Sequence, residues 1–285
     1  MKPVPFLALA LASALLLPVP SHAQRTPTVA MVTDLSGSVT ITGAKGGGAA
    51  GIAAELPSDA VIGVGAGGRA VILVLATGEE FTVTGPSNAL VRADGVMGTP
   101  KESVARRASM VGKVRLKSEG LAQAAVTLRA SKRQETLPLL GLANTVTLET
   151  RPTFRWTPVE GAGPYRFELQ DATGAVLHEA RTDAAEVRLP EGIALVESKA
   201  YTWEVSARQA NGIRFSNFGD FSVAAAPLRA EAARLRPATG AGVSERVAYA
   251  TWLASQELND EARAVWAQLA AERPDNAQLK ALSQR

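Results

Sequence analysis

Between Arg151 and Val223 lie several runs in which apolar residues fall at every second position, and these constrain the fold more than any other feature of the chain. Tyr165, Phe167 and Leu169 alternate with Arg166, Glu168 and Gln170. Tyr201, Trp203, Val205 and Ala207 alternate with Thr202, Glu204, Ser206 and Arg208. Phe154 and Trp156, then Val187 and Leu189, repeat the pattern, with Val146 and Leu148 before them and Phe215, Phe221 and Val223 after. Successive strand side chains point to opposite faces, so this alternation predicts strands with one buried and one wet face. Turn formers separate the runs at Glu160–Pro164, Asp171–Gly174, Pro190–Gly192 and Asn211-Gly212. About seven such strands in under about a hundred residues predict an antiparallel sandwich.

The spacing of Trp156, Tyr165, Leu195 six before Tyr201, Val205, Ala207 and Gly212 resembles a fibronectin type III domain. The resemblance implies that Trp156, Tyr165 and Trp203 are core and that Tyr201 is a corner tyrosine. The outward residues Arg166, Glu168, Thr202, Glu204 and Arg208 mix both signs, as a solvated face does.

A second β region runs from Thr28 to Gly98. Val39 and Ile41 alternate with threonines, as do Phe81 and Val83, while Val71-Ile72-Leu73-Val74-Leu75 is continuously apolar. A short run of that kind predicts a strand buried on both faces. Gly43 to Gly51 reads as a flexible glycine-rich loop. Gly37-Ser38-Val39, Leu56 to Asp59, Val61 to Gly65, Arg69 to Leu75, Gly78 and Pro86-Ser87-Asn88 together resemble a FecR domain. Such domains occur in exported iron-citrate regulators and in stand-alone envelope proteins. In the regulators a cytoplasmic segment and a membrane span precede the domain, where this chain carries an export signal. Gly63, Gly65 and Gly68 spell G-x-G-x-x-G, but a dinucleotide site requires a helix after the last glycine. A β-branched run follows instead, so the glycines are read as a tight turn and no cofactor is expected.

The export signal is Lys2, an apolar run from Phe6 to Leu17, and the small-residue site Ser21-His22-Ala23 before Gln24. The run is about half of the ~20 residues a spanning helix needs. Cleavage at Ala23 is expected to give a soluble periplasmic chain with no transmembrane segment and no nucleic-acid partner. The chain has no cysteine, hence no disulfide, thiolate metal site or lipid-bearing Cys. A formal charge of +3 on 285 residues does not itself imply an acidic partner.

Charge is concentrated locally. Lys101, Arg106, Arg107, Lys113, Arg115, Lys117, Arg129, Lys132 and Arg133 face only Glu102 and Glu119, a balance of +7 between residues 101 and 133. Alternation around Val114, Leu116, Val126 and Leu128 predicts a hairpin turning near Ser118–Gly120. Lys113, Arg115, Lys117 and Arg129 then share an outer face. That face is either a contact for an anionic envelope polymer or a solvated strand surface.

After Ala224 the texture becomes helical. A helix is expected from Leu228 to Leu235, a second capped by Ser244 and ending near Gln256, and a third capped by Asn259. Asp260 and Glu261 occupy the third helix's first turn, and Ala262, Val265, Trp266 and Leu269 share one face. Ala250, Ala262, Trp266 and Pro274 resemble a single tetratricopeptide repeat. One repeat cannot bury its own face, so these helices must dock on the sandwich or meet a partner. Trp252 and Trp266 are read as packing residues.

Catalysis is not expected. His178 is the only histidine left after processing, no serine sits in G-x-S-x-G, and no cluster has metal-ligand spacing. A carboxylate pair assembled by folding stays open. The sequence therefore predicts a mainly β chain with a signal peptide at 1–23, a FecR-like β domain at 24–98 and a basic β connector at 99–143. A fibronectin III-like β-sandwich follows at 144–224, then a short α-helical hairpin tail at 225–285. It predicts a non-enzymatic envelope binding or scaffold protein whose partner is an envelope protein or anionic polymer, or alternatively a FecR-type signal relay. No catalytic, cofactor-binding or metal residue is expected.

Overall fold

A computed structural model describes residues 27–43, 46–108 and 134–284. The fold is mainly β, with a short helical tail. The first unit contains β1 (Thr28–Ser36), β2 (Val39–Gly43), β3 (Gly46–Ala49), β4 (Glu55–Pro57) and β5 (Val61–Val64). It continues with β6 (Arg69–Val74), β7 (Glu79–Thr84), β8 (Ser87–Arg92), β9 (Gly95–Thr99) and β10 (Val104–Ala108). Two sheets, ordered β10-β7-β6-β1-β4 and β3-β2-β5-β8-β9, enclose a core built on Val32, Ile62, Ile72, Phe81, Val83 and Val91.

The glycine-rich stretch is not the loop expected. Gly46–Ala49 pairs antiparallel with β2, Thr40 opposite Ala49. Glycine weakens a strand but does not forbid one, and the backbone ladder with Thr40 to Gly43 supplies the order that side chains do not. Gly65 to Gly68 form the tight turn, the Gly68 amide donating to the Gly65 carbonyl at 2.9 Å, and strand β6 follows.

The second unit contains β11 (Gln134–Thr136), β12 (Thr145–Thr147), β13 (Thr153–Arg155), β14 (Tyr165–Asp171), β15 (Val176–Thr182) and β16 (Glu186–Arg188). The long strands β17 (Ala200–Arg208) and β18 (Arg214–Val223) complete it. The large sheet is ordered β11-β18-β17-β14-β15, with β12 also on β18, and β13 with β16 form the opposite layer. Trp156, Phe154, Phe167 and Trp203 are fully buried between the layers. Phe154 lies 4.9 Å from Phe167 and 5.2 Å from Trp203 between ring centroids, in tilted arrangements that aromatic quadrupoles favour. The Tyr201 hydroxyl accepts from the Val196 amide at 2.8 Å and reaches the Val196 carbonyl at 3.4 Å, closing the corner. Of the stretch read as a connector, residues 104–108 pair with β7 and residues 134–136 pair with β18.

The tail contains α1 (Ala226–Leu235), α2 (Val243–Ser255), α3 (Asn259–Glu272) and α4 (Ala277–Leu282). Neither expected cap is one. Ser244 lies inside α2, where its hydroxyl accepts from Thr33 at 3.0 Å, and Asn259 donates its side-chain amide to the Asn144 carbonyl at 2.9 Å. Both side chains are drawn to tertiary partners that a local reading cannot see. Helix α4 has no counterpart in the sequence reading. It is capped by Asn276, whose side-chain Oδ1 accepts from the Gln278 and Leu279 amides.

The tail docks on both β units. Trp252, Leu253, Trp266, Leu269 and Leu279 share one buried cluster with Met31, Ile52, Leu73 and Leu75 of the first unit. This explains the continuous apolar run. Ala70, Ile72 and Val74 of β6 face the first unit's own core, while Leu73 and the following Leu75 face the helices. Val146 and Leu148 of the second unit pack on the same helical cluster rather than into the sandwich, because on β12 it is Thr145 and Thr147 that are buried.

Candidate functional site

The polar chemistry of the described residues concentrates where the tail meets the two β units. On the first unit's side stands Asp34 of β1, with its side chain only 9% exposed. One oxygen takes Arg69 of the neighbouring β6 at 2.5 Å, and the other takes Arg273, just past the end of α3, at 2.8 Å. Charge-assisted bonds of this kind are the strong class. The Gln278 side chain adds a bond from the Ile52 amide at 2.9 Å.

On the second unit's side the α2–α3 corner caps the open edge of β12. The Val146 amide donates to the Glu257 carbonyl at 2.8 Å, and the Leu148 amide donates to Glu261 at 3.0 Å. The Leu142 amide donates to Asp260 at 2.6 Å. Gly141 makes that approach possible: its φ is +138°, and a Cβ there would stand 2.9 Å from the Asp260 carboxylate. The edge is thus satisfied without a further strand, its Val146 amide by a main-chain carbonyl of the corner and the flanking Leu142 and Leu148 amides by the acids of the first turn of α3.

Glu261 is the chemically unusual member. Burial pushes its carboxyl above the ordinary carboxylate range, the Leu148 amide opposes this, and nearby Asp260 and Glu149 add to the rise. Its second oxygen is buried without a partner among the described residues. Glu261 borders two clefts. One, of about 570 Å³, lies between α3 and the second unit and includes Leu140, Glu149, Arg155 and Arg263. The other, of about 520 Å³, lies between α2, α3 and residues 236–240, with Arg246, Tyr249 and Leu253 on its walls. Arg246 is held by Glu272 through two bonds of 2.5 and 2.7 Å. That pairing raises the guanidinium and lowers the carboxyl relative to their ordinary values.

The residues singled out from the sequence fare differently. Lys113, Arg115, Lys117 and Arg129 lie outside the described residues, as do the export signal and the expected hairpin. Of the basic stretch, Arg106 on β10 pairs with Glu79. His178 sits half-buried on β15, its ring 6.1 Å from Phe167. Trp252 and Trp266 are buried at 2% and 4% exposure, which makes them packing residues. Asp34, Arg273, Asp260 and Glu261 were not legible as a junction, because their partners lie more than a hundred residues away in sequence. Among the described residues, no group of three or more His, Cys, Asp or Glu could hold a metal ion. Nor is any described helix long and apolar enough to cross a membrane.

No family model matches the chain, and no curated protein matches it. Among solved structures, CopC from Methylosinus trichosporium OB3b is 15% identical with a TM-score of 0.25, over 31% of this chain and 93% of its own. A tetra-tandem repeat from the extending region of a large adhesion protein is 16% identical with a TM-score of 0.21, over 69% of this chain and 42% of its own. At these scores neither likeness bears on function.

Proposed function

We propose that this chain is a non-enzymatic, exported binding or scaffold protein of the cell envelope. In this reading a FecR-like unit and a fibronectin III-like unit are held by a tetratricopeptide-like tail, and its partner is an envelope protein or an anionic envelope polymer. The observation that carries the reading is the use of the tail. Its apolar helix faces are spent inside the molecule, on Met31 and Leu73 on one side and Val146 and Leu148 on the other. The surfaces left for partners are then the outer faces and edges of two fixed β units, as in a spacer or scaffold. His178 stands beside the Phe167 ring, and among the described residues no carboxylate is bonded to it to orient it as a general base.

A second reading, a FecR-type sensory or relay protein acting with a membrane regulator, draws support from the Asp34 junction. There a change in the first sheet would reach the tail through Arg273. Crosslinking in intact cells followed by affinity capture of the tagged chain tests both. Recovery of wall or outer-membrane components supports the scaffold. Recovery of a membrane-bound regulator supports the relay. A chain retained in the cytoplasm contradicts both.

A further inference from the structure

The two edges of the second unit's large sheet are treated differently. At one edge β11 and β12 lie along β18, and the helix corner then caps β12. At the other, β15 ends the sheet, and no described strand pairs with its outer side. Such an edge presents a row of unpaired backbone donors and acceptors to any strand that can align with it. Leu177, Glu179 and Arg181 are exposed along it.

The charges on β15 conflict with its own neighbour. Glu179 stands directly opposite Glu168 of β14, and Arg181 directly opposite Arg166. Like charges placed opposite one another destabilise a strand pair. The Glu168 carboxylate is already engaged by Gln170 at 2.5 Å, and neither Glu179 nor Arg181 has a side-chain bond or ion pair among the described residues. The register is regular from Thr182 back to His178, and the irregularity in the pairing comes only beyond it, between Leu169 and Gln170.

We propose that β15 pairs antiparallel with β15 of a second copy of this chain, about a two-fold axis at Ala180. In that register Glu179 of each copy meets Arg181 of the other, twice by symmetry. Ala180 lies on the axis, where a small side chain avoids a clash, and His178 faces Thr182. The contact is isologous and closed, so it gives a dimer with one continuous sheet and not a fibre. A register shifted by two residues either way, the smallest shift that keeps the same backbone groups facing the partner, places Glu179 against itself or Arg181 against itself. Charge therefore selects this register from its neighbours.

The test is sedimentation equilibrium of the full exported chain across a concentration series. Wild type should dimerise, more weakly as salt is raised. Glu179→Arg and Arg181→Glu should each weaken self-association by about tenfold or more, since each sets like charges face to face. An equimolar mixture of the two variants should restore association, because each then carries the charge the other lacks. The chain has no cysteine, so Ala180→Cys gives an independent readout. Mild oxidation should yield a disulfide-linked dimer, whether or not a charge variant folds less well. A wild type that stays monomeric, a mixture that stays monomeric, or an Ala180→Cys protein that does not crosslink would overturn the proposal. Capture of a strand from another protein in place of self-association would also overturn it.

Discussion

Asp34 on β1 and Arg273 at the end of α3 are 239 residues apart in sequence and 2.8 Å apart in space. The same carboxylate holds Arg69, so one nearly buried acid ties a sheet to a helix. Arg273→Ala should cost about 1 kcal/mol, because Asp34 keeps Arg69. Asp34→Ala should cost about 2 kcal/mol, since it removes both charge-assisted bonds while the two arginines can still reach water. Urea midpoints of the two variants should rank in that order.

Glu261 predicts a pH dependence with a definite sign. Burial raises its folded-state pKa above the unfolded one. The stability linked to it is therefore full below the unfolded pKa and is lost as pH rises through the folded pKa. Glu261→Gln should flatten this loss, which begins at roughly pH 4 to 5, and should raise the melting temperature at neutral pH. Melts of both proteins between about pH 4 and 8 check it. A variant less stable than wild type at neutral pH contradicts the assignment.

Gly219 faces Trp203 in the β17–β18 ladder. A Cβ there would stand 2.5 Å from the Leu142 carbonyl oxygen and 2.7 Å from Trp203 Nε1, which bond each other at 2.8 Å. Gly219→Ala should part that buried pair and cost about 2–3 kcal/mol. Gly212→Ala meets open space at a φ of +85° and should cost only about 1 kcal/mol, from backbone strain. Denaturant melts of the two variants separate the effects.

Tyr201→Phe removes the hydroxyl that receives the Val196 amide and should cost about 1 kcal/mol. An unchanged midpoint would show that the corner bond contributes nothing.

The two sandwich faces were legible because period-2 alternation is a local property of Tyr165–Leu169 and Tyr201–Ala207. Tyr201 was legible from its spacing to Leu195. The Val71–Leu75 run announced a strand covered on both sides, but could not say that its second cover lies beyond residue 240. Ser244 and Asn259 show the limit. Each is a good cap by local rules, and each is claimed by a distant partner, Thr33 and Asn144. Asp34, Arg273 and Glu261 carry no spacing signal, because junction residues are defined by which surfaces meet.

The tail fastens the two β units, so cutting it away should loosen both. A chain ending at Ala224 loses the cover over Met31, Ile52, Leu73 and Leu75. Each buried apolar side chain of this size is worth about 1.5–3 kcal/mol, so the first unit should lose several kcal/mol. Urea unfolding followed with a hydrophobic dye should show one transition in the full chain. The shortened chain should show an earlier, separate transition with dye bound before it. Coincident midpoints in the two chains, with no dye bound to either, would show that the tail fastens neither unit.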